Sequence, residues 1–293
     1  MNHQEFLVKA GARVRLKNYD PAYTGKFKGE AEAERQIQKD CESLAQYQDK
    51  LMAEETQSLL LIFQAMDGAG KDGTIKHVMS AIDPQGCTVT LNEKPGAVEL
   101  KHDYLWRFVR ALPKRGEIGI FNRSYYEEVL STRIHPERLE DQQLPTHIRT
   151  AKNLWQQRFT QINNFEQYLS ENGVHVMKFF LHLSKEKQRE RLLERLDAPE
   201  KKWKFSLNDV EERGRWDEYQ KAFEDALTQT STKFAPWYIV PADHRWFSSL
   251  VVAELVVAKM KSLRLRYPQT NDETQKERDE ARRQLLADGK KKR

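Results

Sequence analysis

Hydrophobic residues along this chain fall into two alternating kinds of run. SLLLIFQA (58–65), CTVTLN (87–92), EIGIF (117–121), VHVMKFFLHL (174–183) and WYIV (237–240) are short and apolar or β-branched. Such blocks predict strands, and a continuously apolar one predicts a strand buried on both faces. Between the blocks the apolar positions spread to helical spacing. Residues 31–57, 71–82, 98–112, 185–196, 207–228 and 248–265 read as helices. Residues 125–173 read as two helical stretches, divided near Leu144 and Pro145. Strands separated by helices predict an α/β fold with a five-stranded parallel sheet and helices on both faces. Ligands of such sheets sit at the carboxyl ends of the strands, so functional residues should lie just after strand ends.

The flanks differ from this core. Residues 1–57 read as an extension: a basic, irregular segment with a turn at Tyr19–Gly25, then a long helix carrying Ile37, Leu44, Tyr47 and Leu51 at helical spacing. Residues 58–267 form the expected core domain. The tail, 268–293, is almost wholly polar and charged, and is expected to be a solvated helix or a disordered segment dispensable for chemistry.

Composition narrows the partners. Of 293 residues, 39% are hydrophobic and 32% charged, with a net charge of +5. That supplies one buried core and a mildly basic surface suited to a polyanion. The two cysteines, Cys41 and Cys87, form no CxxC pair, so neither a metal site nor a disulfide framework is indicated. The N-terminus lacks the apolar core of a signal peptide, and no stretch approaches the ~20 apolar residues that span a bilayer. A cytoplasmic protein with no membrane partner is expected.

The first strand runs into Ala65-Met66-Asp67-Gly68-Ala69-Gly70-Lys71-Asp72-Gly73-Thr74. Strand, Gly-rich turn, Gly-Lys and helix in that order are the context of a phosphate-binding P-loop. Gly68 and Gly70 let backbone N–H groups turn inward, the helix N-terminus adds positive dipole, and Lys71 neutralises phosphate oxygens. Two positions depart from GxxxxGK[ST]: Ala65 replaces the first Gly, and Asp72 the metal-binding hydroxyl. Asp67 inside the loop is the candidate to hold Mg²⁺ instead, because a carboxylate beside phosphates needs a cation between them. The plainer alternative is an ordinary strand–helix turn with an exposed lysine.

Strand three ends in Asn122-Arg123-Ser124-Tyr125-Tyr126-Glu127. Arg123 falls where ligands bind and can grip phosphate with two parallel hydrogen bonds. Asn122 can support a metal-bound water. Ser124 and Glu127 also have the spacing of a capping box, and both readings can hold together. After strand four, Ser184–Arg195 and Lys201–Lys204 are strongly basic, as in the mobile lid of P-loop kinases, expected here at about 184–212. Arg189 and Arg191 are its candidate phosphate contacts, although a charge run is usually a solvated helix face paired at i,i+4. Lys94 follows strand two at a ligand-facing end. Arg133 and His135 follow the Asn122–Glu127 segment, the histidine in a structural role.

Taken together, RLKNYDPAYTG (15–25), MDGAGKDGTIKHV (66–78), PQGCTV (84–89), HDYLWR (102–107), GEIGIFNRSYYEEVL (116–130), FLHLSKEKQRERLLER (180–195), KKWKF (201–205), RWDEY (215–219) and APWYIVPADHRWF (235–247) resemble polyphosphate kinase family 2, from about Val14 to Tyr267. The resemblance implies a three-layer α/β/α P-loop kinase similar to nucleotide monophosphate kinases, with a helical lid, Mg²⁺ as cofactor and inorganic polyphosphate as phosphoryl donor or product. It implies Asp67, Lys71 and Arg123 as catalytic residues. Gly68, Ala69, Gly70, Lys71, Asp72, Gly73, Lys94, Arg189 and Arg191 are the expected phosphate contacts. Asn122, Arg123, Glu127 and Arg133 are the expected nucleotide contacts, with Asp67 and, through water, Asn122 toward the metal. Asn122, where many relatives carry Asp, resembles the class III members, which phosphorylate both AMP and ADP. The expected substrates are therefore polyphosphate, AMP and ADP/ATP, without nucleic acid, and the expected assembly is a homo-oligomer, dimer or tetramer. Two alternatives are an ATP-dependent kinase of the same fold and a basic nucleic-acid-binding protein. No interleaved aromatic and basic stacking platform supports the latter.

Overall fold

The computed structural model describes residues 1–199 and 206–290. Five strands form one parallel sheet: β1 (Ser58–Gln64), β2 (Cys87–Leu91), β3 (Ile118–Asn122), β4 (Val174–His182) and β5 (Trp237–Pro241), ordered β2-β3-β1-β4-β5. All five apolar blocks are therefore strands. β1 and β3 are buried at every position, whereas edge strand β2 stays partly exposed, which matches its mixed Thr and Val composition.

The helices are α1 (Glu30–Glu54), α2 (Lys71–Val78), α3 (Trp106–Arg110), α4 (Ser131–Ile134), α5 (Pro136–Asp141), α6 (Thr146–Arg149), α7 (Leu154–Glu171), α8 (Lys185–Asp197), α9 (Leu207–Gly214), α10 (Trp216–Thr230), α11 (Arg245–Ser262) and α12 (Asp272–Lys290). Alternate residues of β1 divide the core between two faces. Leu59, Leu61 and Phe63 join Ile37, Leu44 and Leu51 of α1 and the apolar side of α11. Leu60 and Ile62 join Phe159 and Ile162 of α7 and Phe223 and Leu227 of α10. The result is the expected three-layer α/β/α arrangement.

The helical segments are more broken than their apolar spacing predicts. The expected helix over 98–112 is a single 3-10 turn (Glu99–Lys101) followed by α3. Between them the Asp103 carboxylate accepts the Leu105 N–H, so the chain turns instead of continuing. Residues 125–173 split into a 3-10 turn and four helices, punctuated by Pro136 and Pro145. The stretch 207–228 divides at Arg215, whose guanidinium Nη1 donates to the Ile134 carbonyl at 2.9 Å. The basic N-terminal segment is irregular, and it adds to the sheet: Val8 N–H donates to Trp237 O and Ile239 N–H to Phe6 O, at the β5 edge. Among the described residues no helix is long and apolar enough to cross a membrane.

Candidate active site

The carboxyl ends of β1 and β3 lie side by side, because Phe63 pairs with Asn122 in the parallel register. The segments leaving the two strands therefore meet in space. After β1 the chain turns through Gly68 (φ 86°) and Gly70 (φ 93°), both in the left-handed region that a Cβ disfavours. α2 then starts at Lys71. After β3, Arg123 itself adopts φ 63°. An arginine there costs roughly 1–2 kcal/mol of strain. Three contacts hold it: its N–H donates to Phe63 O at 3.0 Å, its carbonyl accepts from Asn92 Nδ2 at 2.8 Å, and its guanidinium Nη2 lies 2.5 Å from Asp67 Oδ1. Strained backbone held by such contacts is characteristic of functional positions.

Asp67, Lys71 and Arg123 form one charge cluster. Lys71 is buried; its ammonium donates to Ala65 O at 3.2 Å and lies 4.0 Å from Asp67 Oδ1. Burial alone would push the Asp67 carboxyl up, but Lys71 and Arg123 outweigh it and hold the group below the usual carboxylate range. Burial pulls the Lys71 ammonium down, opposed chiefly by Asp67. The aspartate is thus an anion at neutral pH. Asn122, also buried, donates its Nδ2 to Asp72 Oδ1 at 2.7 Å. Asp67, Gly68, Gly70, Lys71, Asp72, Gly73, Lys94, Asn122 and Arg123 line one open cleft of about 910 Å³ with Arg191, Arg195 and Arg245.

A smaller cavity of about 320 Å³ adjoins this cleft through Asn92, Lys94 and Arg123. Tyr104, Phe108, Tyr125, Glu127, Glu128 and Arg138 are among its walls. Glu127 Oε1 accepts from Gln64 Nε2 at 3.1 Å, which fixes the carboxylate at the border with the loop. A phosphate cleft opening into an amphipathic cavity has the layout of a site for a phosphorylated small molecule.

Residues 28–268 match the family model for polyphosphate kinase 2. The chain belongs to the polyphosphate kinase 2 family. It is 45% identical over 283 residues to the "ADP-polyphosphate phosphotransferase" of Rhodopseudomonas palustris, covering 97% of this chain and 98% of the relative. It is 40% identical over 277 residues to the "AMP/ADP-polyphosphate phosphotransferase" of Meiothermus ruber, covering 93% and 98%. The crystal structure of polyphosphate kinase 2 from Arthrobacter aurescens superposes with a TM-score of 0.85 at 36% identity, over 96% of this chain and 97% of that one. The P-loop kinase fold of the family is thereby the fold of this chain.

Within this family member, several expected contacts sit elsewhere. Ala69 is buried behind the loop, its N–H donating to Met66 O, and it does not line the cleft. Arg189 is exposed and off the cleft wall, because the register of α8 places Gln188 and Arg191 inward instead. Arg191 does reach the site, but as a clamp: Nη1 donates to Gly68 O and Ala69 O, and Nη2 to Ala242 O and Asp243 O, at 2.7–3.1 Å. With its fork spent on four main-chain carbonyls, it shapes the Gly-rich loop. Arg133 lies off the smaller cavity in an ion pair with Asp225 at 2.9 Å, and Arg138 of the next helix, α5, lines that cavity. Lys201, Lys202, Trp203 and Lys204 of the expected lid lie outside the described residues.

Besides Arg138, four contributors were not singled out in the sequence. Arg195 lines the cleft and pairs with Asp209 of α9 at 2.7 Å. Arg245 lines it from the start of α11. Gln188 donates to Asp67 O at 2.8 Å, and a side chain at Gly68 would come within 3.3 Å of Gln188 Cγ. Asn92 ties β2 to Arg123. The lysine- and arginine-rich run after β4 carried a signal for Arg195; nothing local marks Asn92 or Gln188.

Proposed function

We propose that the protein transfers phosphoryl groups between inorganic polyphosphate and nucleotides, making ATP from ADP and ADP from AMP. The observation that carries this reading is the Asp67–Lys71–Arg123 cluster, set in an open cleft that is also lined by Lys94, Arg195 and Arg245 and that adjoins a second, amphipathic cavity. One space suits an extended phosphate chain and the other a nucleoside. The family's P-loop fold and the activities for which the Rhodopseudomonas and Meiothermus relatives are named support the same donor and acceptors.

The acceptor's terminal phosphate oxygen attacks the end phosphorus of the polymer. The bond to the penultimate phosphate breaks, and the polymer leaves one unit shorter with the electron pair on its new terminal oxygen. A phosphate oxygen is already an adequate nucleophile, so the protein supplies alignment and charge rather than a base. Lys71 and Arg123 neutralise the transferring group, while loop N–H groups and the α2 dipole hold its neighbours. Asp67, held by Arg123 where the two cavities adjoin, orients the acceptor. Glu127 and Arg138 bound the nucleoside end.

Mg²⁺ fits this donor set. Asp67 Oδ1 is taken by Arg123, whereas Oδ2 and the Asn122 amide oxygen carry no protein hydrogen bond among the described residues. Two hard oxygens suit a magnesium ion that completes its shell with phosphate and water. When bound, the metal would offset the negative charge shared between donor and acceptor. A lid over about 184–212, a class III preference for AMP as well as ADP, a dimeric or tetrameric assembly and a cytoplasmic location complete the reading.

The deciding experiment mixes purified protein, Mg²⁺, long-chain polyphosphate and AMP, without ATP. ADP followed by ATP is expected. ATP formed only from added ADP would remove the class III assignment. Phosphorylation that needs ATP as donor, with polyphosphate inert, would replace the proposal with an ordinary P-loop kinase.

A further inference from the structure

Each carbonyl of the Gly-rich loop from Ala65 to Gly70 has a donor, and the donors come from two places. Within the loop and α2, Ala65 O accepts from the Lys71 ammonium, Met66 O from the Ala69 N–H and Gly70 O from the Thr74 N–H. The carbonyls of Asp67, Gly68 and Ala69 turn instead to α8: Asp67 O to Gln188, Gly68 O and Ala69 O to Arg191. The C=O and N–H of a trans peptide point opposite ways, so α8 decides how these loop peptides are turned.

Gln188 does this as one link in a chain of contacts. α8 starts from a pinned end: the Ser184 N–H and hydroxyl both donate to the Asp243 carboxylate at 2.8 Å, and Ser184 Oγ accepts the Lys187 N–H at 3.1 Å. Gln188 and Arg191, spaced i and i+3, then share the face turned to the loop. Gln188 is 1% exposed and lines neither the cleft nor the smaller cavity. Its amide is used at both ends. Nε2 donates to Asp67 O at 2.8 Å, and Oε1 accepts from Arg213 Nη1 of α9 at 2.9 Å. The same Arg213 nitrogen donates to Lys185 O at 2.6 Å, which fastens it to the first turn of α8. A carbonyl only accepts and a guanidinium only donates, so the amide cannot flip without losing both bonds.

We propose that Gln188 is a positioning residue for Asp67, held in its working orientation by Arg213, and that it fixes the Asp67–Gly68 peptide for phosphoryl transfer. The inference rests on the acceptor-orienting role proposed above for Asp67. That residue is tethered twice: Arg123 holds its carboxylate, and Gln188 holds its main chain. The first tether carries charge to the reacting groups, whereas the second acts only through Asp67.

The test uses Gln188→Glu at about pH 8, where Arg213 keeps the introduced carboxyl ionised. The variant has the same shape and keeps an acceptor for Arg213, but it has no donor for Asp67 O. Its kcat for ATP formation from polyphosphate and ADP should fall roughly 10- to 100-fold, the cost of a slightly misplaced reacting group. The KM values of polymer and ADP should stay within about threefold. Without ligands, amide hydrogen exchange should quicken in the loop and stay unchanged in α7 and α10. Gln188→Met, which loses both bonds, should lose as much kcat; Arg213→Met, which leaves the donor in place, should lose less. If Gln188→Glu does not fold, Gln188→Met decides by the same readings. Unchanged kcat and unchanged loop exchange would overturn the proposal. So would a raised polymer KM at wild-type kcat, which would make Gln188 a determinant of phosphate binding alone. If wild type makes no ATP from polyphosphate, the proposed function is what fails, and loop exchange alone then decides whether Gln188 holds the Asp67 peptide.

Discussion

Arg191 illustrates how one side chain can shape a Gly-rich loop through main-chain carbonyls alone. Its planar fork reaches carbonyls on both sides, the P-loop and the segment after β5. A lysine has the charge without the fork. Arg191→Lys should therefore lower stability by about 2–4 kcal/mol in urea unfolding and raise the KM for the polymer together. A raised KM with unchanged stability would identify a direct phosphate contact instead. Asp40 poses a different residue-scale problem. It lies buried on α1 with Oδ2 unpaired, and burial pushes its carboxyl up from 3.8 to about 6. A carboxyl raised in the fold binds its proton more tightly when folded, so its contribution is favourable below about pH 4 and is lost as pH rises through about 6. Asp40→Asn should stabilise the protein at pH 7 to 8 by about 1–2 kcal/mol, and the gain should vanish by about pH 4 in thermal unfolding followed across pH.

At the scale of elements, the segment after β3 is pinned from beneath by β4 and α7. Lys178, fully buried on β4, donates to Glu166 Oε2 at 2.5 Å, to Tyr126 Oη at 2.9 Å and to Thr230 O at 2.7 Å. Glu166 Oε1 in turn accepts from both Tyr125 and Tyr126. Burial pulls the ammonium down and pushes the carboxyl up, and the contact between them opposes both effects. All three ammonium donors are used, so the network is complete, and removing one charge strands the other. Lys178→Met should cost about 3–5 kcal/mol, and Lys178→Met combined with Glu166→Gln should recover more than half of it. Additive losses in urea unfolding would mean that the two groups do not act as a pair. Tyr125 also walls the smaller cavity, so this pair supports the proposed acceptor site from below.

Across the whole molecule, two apolar cores lie on either side of one sheet, and the last helix stands outside both. α12 is exposed at each residue whose side chain is described, including Leu285 and Leu286. The chain before it is anchored: Arg266 N–H donates to Glu54 Oε2 at 2.9 Å, and the Tyr267 hydroxyl bonds to Asp49. Deleting 268–293 should leave the unfolding temperature within about 2 °C and kcat unchanged. Ending the chain at Ser262 should lower the temperature measurably, because these anchors go with it. A tail deletion that abolishes polymer use would make α12 part of the site.

Sequence by itself determined the five strands, their alternation with helices, and the P-loop with Arg123 at the next strand end. These features arise from local periodicity and from motifs whose atoms are neighbours along the chain. It overestimated helix continuity at Asp103, Pro136 and Arg215, where side-chain hydrogen bonds, proline and a tertiary contact interrupt the apolar spacing. Only the tertiary structure decided which of many arginines face the cleft. α8 turns Arg191 and Arg195 inward and Arg189 outward, and the short helices after β3 replace Arg133 with Arg138. It also brought Arg245, 174 positions after Lys71, beside the loop, because β5 joins the sheet next to β4. The chemistry of an arginine is written in its residue type, but its target depends on helix rotation and strand order, which are set by packing between segments far apart in sequence.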